Sequence, residues 1–387
     1  MVCWHSPLVS ANAALVRRAD LDCQHPVTRA GPSFRWILPV RACMVGGTEN
    51  GMRTIVMIRH LMLAALLSAL SIPAVAETAC AGRDLMTDLP ASERSALDAV
   101  IAGDPYASGN WWRAEKDGSV IDVVGTFHID DPRHDAFAAR LAPVIADADQ
   151  VFLEATDVEM RALQAELGRN PGMILITTGP TMPEMLEEAE WQTLAAEMSL
   201  RGIPAFMASK FRPWYLMVML AMPPCAMKAM QGQSQGLDAR VQQMALQSGV
   251  PTAPLEPYDT VFKVFAVMDS SDQIALVRAA LPMAAQSEDM FATMKEAYFR
   301  GDHRLIWEFS RMAALKAPGV TPEDAEREFG RMEEALLTGR NRAWMDVILP
   351  AAAGRHIVVA AGAAHLSGPE GVLALLAAGG WRMTRQD

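Results

Sequence analysis

Two apolar runs in this 387-residue chain break off in the same way. Val120-Ile121-Asp122-Val123-Val124 leads into Gly125-Thr126-Phe127-His128, and His356-Ile357-Val358-Val359-Ala360-Ala361 leads into Gly362-Ala363-Ala364-His365. Short runs rich in Val and Ile read as buried strands, and a glycine lets the backbone turn sharply where each one ends. Glu154 closes a third run, Val151-Phe152-Leu153, and Glu256 closes a fourth, Thr252-Ala253-Pro254-Leu255. Between the first and third, residues 135–146 carry Phe137, Leu141, Val144 and Ile145 at helical spacing. Strand, helix and strand at this spacing form a βαβ unit, with a parallel pair and a right-handed crossover. The expected fold class is α/β: a mixed, largely parallel central sheet flanked by helices, in two pseudo-repeated halves that each end a strand in Gly-x-x-His. Ligands of open α/β sheets bind beyond the carboxyl ends of the strands, so His128, Glu154, Glu256 and His365 are expected to face one cleft.

The remaining pattern is mostly helical. Asp117-Gly118 predicts the tight turn of a hairpin before the first run. Residues 157–235 read as a helical insertion, broken by Pro180 and Pro183. Within it, residues 211–224 are the most apolar stretch of the later chain but too short to span a membrane. Arg212-Pro213-Trp214-Tyr215, at its start, either lines the cleft or packs a helix on the core. Helices are also expected over residues 91–102, 236–247 and 341–349, and Ser367 with Glu370 suggests a capping box for one through Ala378.

The first fifth of the chain reads differently. Residues 52–76 place Arg53 and Arg59 before an uncharged apolar stretch and end on Ala74-Val75-Ala76, the order of a secretory signal peptide. The expectation is cleavage after about Ala76, a periplasmic or secreted protein, and no transmembrane anchor after cleavage. Residues 1–51 show no sustained period and are expected to be either an over-extended reading frame or a disordered extension. The leading 76 residues hold seven arginines against Asp20, Asp22 and Glu49, so the net charge of −11 becomes about −15 for the rest. Such an acidic chain, without a basic run, is not a nucleic-acid binder. Only Cys80 and Cys225 remain of five cysteines. In an exported protein an even pair suggests a disulfide between them; the alternative is two separate buried thiols.

Two imidazoles and a carboxylate are a common donor set for a first-row divalent ion such as Zn, Mn, Co or Fe. Read singly, each motif is equally compatible with a hydrogen-bonded structural residue. Taken together, Val124-Gly125-Thr126-Phe127-His128, Phe152-Leu153-Glu154, Gly236-Leu237-Asp238, Leu255-Glu256, Arg340-Asn341 and Gly362-Ala363-Ala364-His365-Leu366-x-Gly368 resemble, in order, the TraB/GumN family. The likeness covers residues 80–387 and reaches to Tiki-type metalloproteases and to the fold of erythromycin esterase-like proteins. It implies an α/β domain over residues 77–387 with inserted helices, and a centre of His128, His365 and Glu154 as metal ligands. Glu154, Arg340 and Asn341 are the implied catalytic residues, Glu154 serving as ligand or general base and Arg340 steadying negative charge. Gly125, Gly362, Asp238 and Glu256 would line or support the cleft, with Asp238 equally readable as a helix N-cap and Glu256 as a carboxylate orienting a histidine. The sequence departs from the family pattern at Gly339, where a glutamate is expected. The implied activity is metal-dependent hydrolysis of a peptide; the alternatives are a peptide-sequestering protein and a metal-independent esterase acting on a small molecule.

Overall fold

Six strands pair in the order β4-β3-β5-β2-β1-β6, and the four from β4 to β2 run parallel. They are β1 (Trp111–Lys116), β2 (Ser119–Thr126), β3 (Gln150–Leu153), β4 (Thr252–Pro254), β5 (His356–Gly362) and β6 (Arg382–Arg385). The computed structural model describes residues 80–231, 236–266, 268–316 and 321–387. The signal-peptide and upstream expectations therefore lie outside the described residues. No helix among those described is long and apolar enough to cross a membrane.

Strands β2 and β5 sit inside the sheet, buried on both faces, which is why both read as continuous apolar runs. Asp117 and Gly118 both take positive φ, 49° and 78°, and close the β1–β2 hairpin as expected. Asp122, fully buried in mid-β2, accepts from Trp111 Nε1, Arg113 Nη2 (2.8 Å) and His356 Nε2 (2.8 Å). A carboxylate is tolerated there because its oxygens are matched by cationic and ring donors. The βαβ unit forms, but β2 and β3 are not neighbours: β5 lies between them and pairs with both. That insertion brings the two Gly-x-x-His strands side by side.

Helices cover both faces. On one, Ile121, Val123, Ile357, Val359 and Ala361 pack against Trp344, Ile348 and Ala352 of α15 (Gly339–Ala352) and Leu373 and Leu376 of α16 (Val372–Ala378). On the other, Val124, Val151, Leu153, Val358 and Ala360 meet Leu141 and Ile145 of α2 (His134–Ala146) and Leu237, Val241 and Ala245 of α9 (Leu237–Ser248). Alternate residues of each strand serve opposite layers, the period-2 rule at work. The first α-helix among the described residues is α1 (Ala91–Gly103).

Between β3 and β4 run α3 (Asp157–Arg169), α4 (Met182–Met185), α5 (Glu188–Leu200), α6 (Ala205–Ala208), α7 (Pro213–Ala221) and α8 (Pro224–Gln231). Together with α10 (Thr260–Ala266) and α11 (Ser270–Ala284) they enclose a second core rich in methionine. Trp214 and Tyr215 belong to that core and Pro213 is buried, so the packing alternative for this segment is the one adopted. Next come α12 (Ser287–Phe299), α13 (His303–Leu315) and α14 (Pro322–Glu333), followed by one π-helical turn, Glu334–Thr338. Cys80 and Cys225 are bonded, tying the first described residue to α8.

One helix start differs from expectation. The last helix is capped by Gly371, not by a Ser367–Glu370 box. Glu370 is engaged elsewhere: its carbonyl accepts from Asn341 Nδ2 at 2.9 Å and its carboxylate pairs with Arg342. These contacts hold residues 366–370 as a loop against α15.

Candidate functional site

The carboxyl ends of the four parallel strands deliver the side chains that the sequence singled out. His128 follows β2, Glu154 follows β3, Glu256 follows β4 and His365 follows β5 in a short 3-10 turn, Ala363–His365. Helix α15 adds Arg340 and Asn341 from its first turn, and α9 adds Asp238. A Cβ placed on Gly362 would lie 3.2 Å from Glu154 Oε1, 3.8 Å from His128 Nε2 and 3.8 Å from His365 Cδ2. His128, Glu154 and His365 thus converge on one glycine.

Arg340 is the hub. Its Nη2 donates to Glu154 Oε2 and Glu256 Oε1, each at 2.7 Å, and its Nε donates to Glu256 Oε2 at 2.9 Å. Nη1 donates to the Leu336 carbonyl and lies 3.2 Å from His365 Nε2. The two-point grip on Glu256 is the geometry a planar guanidinium provides. Burial alone would raise the Glu154 carboxyl, but the Arg340 guanidinium holds it well below the usual carboxylate range. Burial would likewise lower Arg340, and the two carboxylates override it, so the guanidinium stays charged.

His365 is held through Nδ1. Asn341 Nδ2 donates to Glu370 O, which turns its Oδ1 toward His365 Nδ1 at 2.7 Å. His365 therefore carries its proton on Nδ1 and presents the Nε2 lone pair to the centre. Burial pushes this imidazole well below its ordinary value, so it is neutral. The Trp344 ring lies 4.4 Å from it and donates Nε1–H to Glu256 Oε2 at 3.0 Å. On the other side, Asp238 Oδ1 stands 3.3 Å from His128 Nδ1. The position of His128 is fixed by its backbone: Gly236 presses so closely that a Cβ there would meet His128 C at 2.3 Å, and Leu237 N donates to Phe127 O.

Some expected roles change hands. The N-cap of α9 is Gly236, so Asp238 does not cap the helix but faces His128. Glu256 orients no histidine; it holds Arg340 and Trp344. Gly339, where the family pattern has glutamate, abuts the π turn, and a Cβ on it would meet the Glu334 carbonyl at 2.8 Å and Glu334 Oε1 at 3.2 Å. The turn leaves no room for that acid. Sequence reading passed over Trp344, whose signal is its place one turn after Arg340 on the same helix face. It also passed over Tyr298, which donates its hydroxyl to Gly125 O at 3.1 Å.

The donors suit a divalent ion in chemistry: two imidazoles, one hydrogen-bonded at Nδ1 to Asn341 and the other with Nδ1 beside Asp238, and a carboxylate. Two carboxylates, of Glu154 and Glu256, share a single guanidinium, a surplus of negative charge that a divalent cation complements. Among the described residues, however, no group of three His, Cys, Asp or Glu closes on one point as a ligand set. His365 Nε2 and Glu154 Oε1 stand 4.0 Å apart, with Arg340 reaching both residues.

Imidazoles and carboxylates gathered round one arginine, at the carboxyl ends of parallel strands, define an α/β protein with a buried, mostly acidic polar centre. The chain belongs to the TraB/PrgY/gumN family, whose model matches residues 110–385 and so includes every member of this centre. No curated protein matches it.

Proposed function

We propose that this chain is an exported hydrolase, acting on peptides, whose centre is His128, Glu154, His365 and Arg340. The observation that supports it most is the convergence of Glu154 and both histidines on Gly362. His128 and His365 would hold a divalent ion, with Glu154 within reach as a third donor. Such an ion, when bound, polarises a carbonyl and lowers the pKa of water. The protein's own contribution is position and charge: Asn341 fixes the His365 tautomer, Asp238 stands beside His128 Nδ1, and Glu154, kept ionised, accepts a proton from attacking water. Arg340 faces the negative charge that develops on the carbonyl oxygen. The peptide class rests on the likeness to Tiki-type metalloproteases. Export rests on the character of residues 52–76 and on the Cys80–Cys225 bond, which suits an oxidising compartment.

One observation favours a second reading. Arg340 Nη1 stands 3.2 Å from His365 Nε2, where an ion would bind, so the guanidinium itself can supply the positive charge of a metal-free esterase or peptidase. Metal content and cleavage of a quenched fluorescent peptide library, measured on the purified protein and on His128→Ala plus His365→Ala, separate the two. The metal-dependent reading predicts bound ion and chelator-sensitive cleavage, both lost in the double variant. Cleavage that ignores chelator selects the metal-free reading, and peptides bound but returned intact would sink the hydrolase altogether.

A further inference from the structure

One buried hydroxyl at this centre is unanswered. Thr126, the last residue of β2, is 3% exposed, and its Oγ1 has no hydrogen-bond partner among the described residues. Leaving such a group unmatched is costly, so in a folded protein it points to a bound water or ligand. The ladder register says where it points. Thr126 pairs with Gly362 across the parallel β2–β5 ladder, and paired residues project from the same face of a sheet. The preceding pair on that face, Val124 and Ala360, packs in a single core cluster beneath them. From Gly362 that same direction leads to Glu154 Oε1, His128 Nε2 and His365.

Gly362 sharpens the point. Its φ of −51° and ψ of 133° are open to any residue, so backbone conformation does not demand a glycine there. What the missing side chain leaves clear is the approach to Glu154 Oε1 and His128 Nε2, on the face of the sheet that Thr126 also occupies. Converging polar groups of this kind are where ordered water is found.

We propose that Thr126 Oγ1 holds a water in the space above Gly362, against Glu154 and His128, and that this is the nucleophilic water of the centre. The second half rests on the hydrolase reading above. In the reaction the water oxygen bonds to the scissile carbonyl carbon and its proton passes to Glu154. The carbon–nitrogen bond then breaks as that proton is delivered to the leaving amine.

The test uses Thr126→Val, which keeps the shape and removes the hydroxyl, Thr126→Ser, which restores it, and Gly362→Ala, which fills the space. Crystal structures that resolve solvent should show a water bonded to Thr126 Oγ1 in the unaltered protein and to the retained hydroxyl in T126S, but no such water in T126V or G362A. With a cleaved fluorescent peptide, kcat should fall about 10- to 100-fold in T126V and G362A while KM holds, and T126S should recover it. A purely structural threonine would not split kcat from KM in this way. A dry space above Gly362, or T126V turning over at the unaltered rate, overturns the proposal. Should the unaltered protein cleave no peptide, the hydrolase reading and the nucleophile assignment fall together. The solvent maps then decide the binding site by themselves, a water at Thr126 upholding it and its absence removing it.

Discussion

The buried imidazoles of this chain differ in what their second nitrogen meets. His365 is engaged at both, by Asn341 and Arg340. His303, 2% exposed at the start of α13, donates Nε2–H to Gly109 O at 3.1 Å, while its Nδ1 has no partner among the described residues. Burial pushes its pKa down to about 4, only partly opposed by the Gly109 hydrogen bond. The folded state therefore prefers the neutral ring, and the unfolded chain takes up the proton first as pH falls. Stability from this group is complete above about pH 6.5, declines toward pH 4 and levels off below, a loss of about 3 kcal/mol. Urea unfolding at a series of pH values should show that slope in the unaltered protein and a flatter one in His303→Gln. Equal slopes would assign the acid sensitivity to other groups.

At the scale of elements, the second core depends on one buried cation. Arg201, just past α5, is buried and wraps the end of α7, with Nε donating to Met219 O (2.9 Å) and Met222 O (2.8 Å) and Nη2 to Leu220 O (3.0 Å). Its Nη1 pairs with Glu197 at 2.6 Å. Helix ends leave carbonyls unsatisfied, and α7 is too apolar to offer its own polar caps. Arg201→Met keeps much of the volume but strands those carbonyls and Glu197, so unfolding free energy should fall by about 3–5 kcal/mol. Guanidinium unfolding of the two proteins measures it; a difference below about 1 kcal/mol would mean water replaces the cation. Arg201 carries no sequence signal, because nothing in Leu200-Arg201-Gly202 distinguishes a solvated arginine from a buried one.

For the whole molecule, the Cys80–Cys225 bond closes a loop with a sequence separation of 145 residues and ties the start of the described chain to α8. Cross-links of such span restrict the unfolded chain, and replacing both cysteines with serine should cost about 2–4 kcal/mol. Identical guanidinium midpoints and slopes for the oxidised protein and the double variant would show that the tether adds nothing. The identity of β1 to β5, though not of the short, polar edge strand β6, the Asp117-Gly118 turn, the helical stretch between β3 and β4 and the placing of His128, Glu154, Glu256 and His365 at strand ends were legible in the sequence. Each is a local property, set by side-chain periodicity and by glycine at the right step. Strand order was not legible: a βαβ pattern states that β2 and β3 are parallel but not that β5 comes between them. That choice depends on contacts between residues more than two hundred positions apart, such as Thr126 and Gly362, and it alone puts those two side by side. The division of labour among the acids was equally hidden, since whether Glu256 meets a histidine or Arg340 depends on the placing of α15. Local sequence sets which chemical groups stand at the ends of which strands. Which of them touch is set by the packed fold, because burial pairs charges by proximity in space, and no spacing along the chain records it.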